Sequence, residues 1–91
     1  MRYSDLLYST FEAALEEFEK TNTRWQAGTL ELKGRLPTPV KPMPCESMDE
    51  SWVRLVIVGN FVDGYRIEFE VYDKTTERID FAPIYSWKEV G

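Results

Sequence analysis

With 91 residues and a formal net charge of −5, from 16 acidic and 11 basic side chains, the chain has the length of one domain and a charge that repels a phosphate backbone. Hydrophobic residues make up 43% and aromatics 14%, too much apolar material for a disordered chain and enough for a core without a metal or disulfide. A lone cysteine, Cys45, excludes an intramolecular disulfide, and there is no histidine.

The missing imidazole narrows the chemistry. It removes the commonest general acid/base near neutral pH, the Ser/His/Asp and Cys/His nucleophile arrangements in their usual form, and ordinary zinc sites. Cys45 lies beside Glu46, and a neighbouring carboxylate works against a thiolate. The five glycines are scattered, with neither a P-loop nor a dinucleotide fingerprint. No cofactor and no metal are therefore expected. The lack of a disulfide framework and of a secretory leader points to a reducing, cytoplasmic compartment. The longest apolar run, Leu55–Val58, is strand-sized, so no membrane span is expected. The charge is uneven. Residues 1–20 hold five acids against two bases and residues 46–91 ten against five, whereas residues 21–45 hold one acid and four bases.

In chain order, the first expected element is an amphipathic helix from about Asp5 to Lys20. Ser4 is its N-cap, and Leu7, Phe11, Ala14, Leu15 and Phe18 form its buried stripe. Its end has two readings. Thr21-Asn22-Thr23 is a poor helical run and favours an early stop, but Trp25 falls on the same stripe as Phe18 and would carry the helix to Ala27, with Gly28 beyond. Leu30, Leu32 and Leu36 alternate with charged residues as a half-buried strand. Pro37, Pro39, Pro42 and Pro44 make residues 37–50 a polyproline-like connector and not a strand. Its PxxP lacks the flanking base that an SH3-type groove needs.

Ser51–Val58 is the most strand-like segment, with Val53, Leu55 and Ile57 on one face and Trp52, Val56 and Val58 on the other. Asp63-Gly64 predicts a tight hairpin turn into Tyr65–Tyr72. A bulge at Gly59-Asn60 is then needed to bring Val53, Leu55 and Ile57 onto the face of Ile67 and Phe69. Glu77–Ala82 follows as a strand with Ile79 and Phe81 inward, and the tail from Ile84 to Val90 is either a strand or a helical turn.

The expected fold class is α+β: a single domain spanning residues 1–91, with one N-terminal helix packed on an antiparallel sheet of three to five strands. The expected function is a non-enzymatic binding or adaptor protein. It docks on another protein, a second copy of the chain included, through a sheet face or edge and the acidic helix; neither nucleic acid nor membrane is expected as partner. Trp52, Val56 and Val58 on the second strand face, the tail residue Trp87, and the alternating Glu68 and Glu70 are its candidate partner-binding residues. One alternative is a small-ligand domain with a Trp- and Tyr-lined pocket between helix and sheet. Another is an enzyme working with carboxylates alone, for which Glu68 and Glu70 are the natural pair.

Overall fold

Among the described residues, a short 3-10 turn, one long helix and six strands build the fold. A computed structural model describes residues 2–34, 41–42 and 49–90. A 3-10 turn at Tyr3–Asp5 leads to helix α1 at Phe11–Gln26. Strands follow at β1, Leu30–Gly34; β2, Lys41–Pro42; β3, Trp52–Asn60; β4, Gly64–Asp73; β5, Arg78–Ala82; and β6, Ile84–Glu89. One sheet has the order β2-β3-β4-β5 and the other pairs β1 with β6. Among the described residues all pairings are antiparallel except the two-residue contact of β2 with β3. The expected α+β class holds.

The helix begins later than its polarity suggested. Thr10 is the N-cap: its backbone is extended and its hydroxyl accepts from the Ala13 N–H at 3.2 Å. Ser4 is used elsewhere. It is buried, and its hydroxyl accepts from the Ile84 N–H at 3.3 Å. Tyr8 exchanges two backbone hydrogen bonds of 2.8 Å with Tyr65, which fixes the preceding segment as extended chain. Leu7 is therefore exposed outside the helix, and Phe11 stands half out of the core.

The later of the two helix ends is the observed one. The Thr29 N–H reaches back to the Arg24 carbonyl and the Gly28 N–H to that of Trp25, each at 3.0 Å. This doubly bonded cap requires a left-handed residue, which Gly28 supplies at φ +80°. The extra turn carries Thr21 and Trp25 onto the face of Ala14 and Phe18, and Arg24 forms an ion pair with Glu89 of β6.

The core lies between α1, the inner face of the larger sheet and the two-stranded sheet. Val53 and Leu55 of β3, Ile67, Phe69 and Val71 of β4, Leu30 and Leu32 of β1 and Ile84 of β6 are all buried there, with Phe18, Trp25 and Ile57 packed against them. Each such side chain contributes roughly 1.5–3 kcal/mol relative to exposure. Leu55 faces Phe69 and Ile57 faces Ile67, the shared face expected from the sequence. The device that achieves it differs: a loop at residues 61–63 replaces the two-residue turn, and Asn60 pairs with Gly64.

Three other expectations are corrected. Ile79 and Phe81 do not point inward. They lie opposite Tyr72 and Glu70, on the sheet face away from α1, and both are exposed. Edge position explains this, because β5 needs only one packed face and Ala82 provides its inward contact. Lys41 and Pro42, expected as connector only, pair in parallel with Trp52 and Val53, which an edge position allows to a proline without a donor. The rest of that connector, apart from Asp49 and Glu50, lies outside the described residues, as does Leu36. The tail is a strand, β6, and not a helical turn.

Tyr3 ties the first turn to the helix. Its ring is buried, and its hydroxyl lies 3.2 Å from Thr21 Oγ1 and donates to Glu17 Oε1 at 3.4 Å. Burial, as the largest cause, holds its proton far above the ordinary tyrosine value of 10.0. The folded state thus binds this proton more tightly than the unfolded chain does. The associated stability is complete below about pH 10 and is lost as pH rises above it. The thermal unfolding midpoint should hold up to about pH 10 and fall progressively as pH rises above it. Tyr3→Phe should blunt that fall without removing it, since burial also raises the Tyr8 hydroxyl. An unchanged alkaline limb in Tyr3→Phe would contradict the assignment.

Candidate docking surfaces

The sheet face turned away from α1 gathers five of the six expected partner-binding residues. Strand alternation puts Trp52, Arg54, Val56 and Val58 of β3 on this face, opposite Tyr72, Glu70, Glu68 and Arg66 of β4. Trp87 does not join them. It lies on β6 opposite Leu32, and its exposed ring meets the edge of Tyr3 at 4.5 Å.

Trp52 is fully buried, not bare. Tyr72 stacks on it with ring centres 5.7 Å apart, and the Arg54 guanidinium sits 5.4 Å from its centre. Val56 and Val58 are half-buried. The two glutamates are each held by an arginine. Glu70 Oε1 accepts from Arg54 at 2.6 and 2.7 Å, and Glu68 Oε1 accepts from Arg66 Nε at 2.8 Å. They thus act as ion-pair acceptors on neighbouring rungs. Among the described residues no cluster of acidic, cysteine or histidine side chains has the arrangement of a metal site.

A second surface, at the β3–β4 hairpin, was not among the expected sites. Asn60 Oδ1 accepts from the N–H groups of Val62 and Asp63 at 2.9 and 2.8 Å, and its Nδ2 donates to Asp63 Oδ2 at 3.1 Å. This side-chain turn holds the loop and aims Phe61 and Val62 into solvent, 83% and 75% exposed. Leu7, 60% exposed, and Phe11, 47% exposed, stand nearby; Phe11 packs edge-on against Tyr65 at 5.8 Å. Between loop and N-terminal segment runs a groove of about 270 Å³ lined by Leu7, Tyr8, Ser9 and residues 61–64. That volume lies below the roughly 300–1,000 Å³ of small-molecule pockets and suits one or two inserted side chains.

One available sequence signal pointed there. Turns select Gly, Pro, Asn, Asp and Ser, so Phe61-Val62 inside an Asn60–Gly64 turn is anomalous. Taking Asp63-Gly64 as the turn hid it, because a two-residue turn there sets Val62 opposite Tyr65.

Between α1 and the two-stranded sheet lies an open groove of about 390 Å³ lined by Glu17, Lys20, Thr21, Arg24, Leu30 and Trp87, so Trp87 is its only aromatic wall among the described residues. None of the helices among the described residues is long and apolar enough to cross a membrane. No family model, curated protein or solved structure matches the chain.

Proposed function

We propose that this chain is a non-enzymatic docking protein that engages another protein through its hairpin end, with the acidic helix beside it. The observation supporting this reading is the pair Phe61 and Val62, two bulky apolar side chains presented on a hydrogen-bonded loop next to Leu7 and Phe11. Exposed apolar side chains clustered on a rigid support form the kind of surface at which interfaces concentrate their binding energy.

The surrounding charge defines the partner. Asp63 stands in the loop, Glu12 lies in the first turn of α1, and Glu16 and Glu19 follow along the helix. The matching segment carries an apolar side chain for the groove, flanked by lysine or arginine. The apolar insertion supplies affinity, and the opposite charges supply association rate and salt sensitivity.

The test uses a synthetic leucine–lysine amphipathic helix, with its leucine–glutamate counterpart as control. The lysine peptide should bind, more weakly as salt is raised, and the glutamate peptide should not. Joint substitution Phe61→Ser and Val62→Ser should weaken binding at least about tenfold, the effect of removing a hot-spot pair. Equal affinity in the parent and doubly substituted chains would overturn the assignment.

A further inference from the structure

We propose that β5 is a self-pairing edge through which two copies of this chain join their larger sheets antiparallel about a two-fold axis at Ile79. This surface is separate from the hairpin end, so either assignment can fail alone.

Three observations carry it. First, β5 ends the β2-β3-β4-β5 sheet, and among the described residues no strand pairs with its outer side. Its backbone groups on that side form a template for another strand. Second, Ile79 and Phe81 rise from β5 on the sheet face away from α1, 43% and 56% exposed, although alternation allows polar residues there. Third, the charges on β5 are self-complementary. Arg78 and Asp80 flank Ile79, so an antiparallel two-fold at Ile79 sets Arg78 of each copy opposite Asp80 of the other.

Within one chain that pair is loosely made, with a separation of 3.8 Å and side chains 73% and 66% exposed. The partner strand must carry an acid and a base two residues apart in reverse order, and a second copy supplies this. Charges at an edge commonly prevent pairing; here their spacing admits one register and opposes a slide of the partner strand by two residues, which would set Asp80 against Asp80 or Arg78 against Arg78. In the paired state Ile79 meets Ile79 of the second copy, and Phe81 lies diagonal to it. Two five-residue strands bury much less than the roughly 800 Å² per partner of a standard interface. The dimer is therefore weak and forms at high protein concentration.

Sedimentation velocity of the full chain over a concentration series tests this. The parent chain should shift from monomer towards dimer. Asp80→Arg places like charges opposite each other twice and should weaken association at least about tenfold. The charge-swapped chain, Arg78→Asp with Asp80→Arg, should regain it, yet form no mixed dimer with the parent chain. Both side chains are exposed, so circular dichroism should show an unchanged fold. If Asp80→Arg alone fails to fold, the charge-swapped chain decides: folded but monomeric, it overturns the proposal. A parent chain monomeric at every concentration also overturns it. So does a dimer indifferent to Asp80→Arg or one lost with Phe61→Ser, because each would place the interface elsewhere.

Discussion

Gly59→Ala is expected to lower the unfolding midpoint by about 10 °C or more, given about 4–8 °C per kcal/mol for a domain of this size. Gly59 has φ +122°, a region that side chains with a Cβ rarely enter, and occupancy there costs about 1–3 kcal/mol. Space is lacking as well. An added Cβ would lie 2.1 Å from the Gly64 carbonyl oxygen and 3.1 Å from Tyr65 Cα, both backbone atoms of the paired strand. Neither can rotate away, so the hairpin must open. Gly64→Ala is the internal comparison. It also has positive φ, at +94°, but its added Cβ would meet only ordinary contacts, the nearest 3.5 Å away at Tyr8 O. Differential scanning calorimetry should therefore rank Gly59→Ala as the more damaging of the two. Equal midpoints for both variants would show that the close approach of the strands is not what fixes the hairpin.

Phe69→Ala should destabilise the fold by about 3–5 kcal/mol, the range for truncating a buried aromatic. Phe69 is fully buried in the middle of β4, between Leu55 on one neighbouring strand and Ala82 on the other. Its ring lies 5.5 Å from that of Trp25 on α1, so it joins sheet to helix. A small domain has a net stability at the lower end of about 5–15 kcal/mol, and this loss removes much of it. Denaturant unfolding followed by tryptophan fluorescence should show a much lower midpoint, together with a changed emission from Trp25. A loss below about 1 kcal/mol would mean that the site collapses around the vacancy, contrary to the packing described. Phe81→Ala, on the exposed face of β5, should by contrast change stability within about 0.5 kcal/mol, as exposed positions usually do.

Local patterns that depend on one element's own periodicity were readable in the chain. The alternation of Leu30 and Leu32, of Val53, Leu55 and Ile57, and of Ile67, Phe69 and Val71 places each strand's core face where it is found. The helix between Phe11 and Phe18 is equally plain. Features decided by distant partners were not. Ser4 has the chemistry of an N-cap, but the Ile84 N–H, eighty positions away, claims its hydroxyl. Thr21-Asn22-Thr23 has weak intrinsic helicity, yet the Thr21 contact with Tyr3, the packing of Trp25 and the Gly28 cap extend the helix through it. Ile79 and Phe81 looked buried because they are apolar, and only the strand order shows β5 to be an edge.

The same distinction applies to the candidate sites. Trp52, Val56, Val58, Glu68 and Glu70 share a face because period-two alternation and pairing with β4 require it. Trp87 was grouped with them by aromatic character alone, and its pairing with Leu32 puts it in the other sheet. The hairpin end was hidden by a turn assignment only slightly displaced. Moving the turn from Asp63-Gly64 to residues 61–63 places Phe61 and Val62 in the loop, as the most exposed large apolar side chains described.

Docking through the hairpin end is tested most directly by titrating the isotope-labelled chain with the leucine–lysine peptide and following its amide resonances. The account predicts shifts centred on Leu7, Tyr8, Phe11, Phe61, Val62 and Tyr65, with α1 affected mainly in its first turns. Shifts centred on β5 and the Trp52 face, or spread along the acidic side of α1 with the hairpin loop silent, would contradict it.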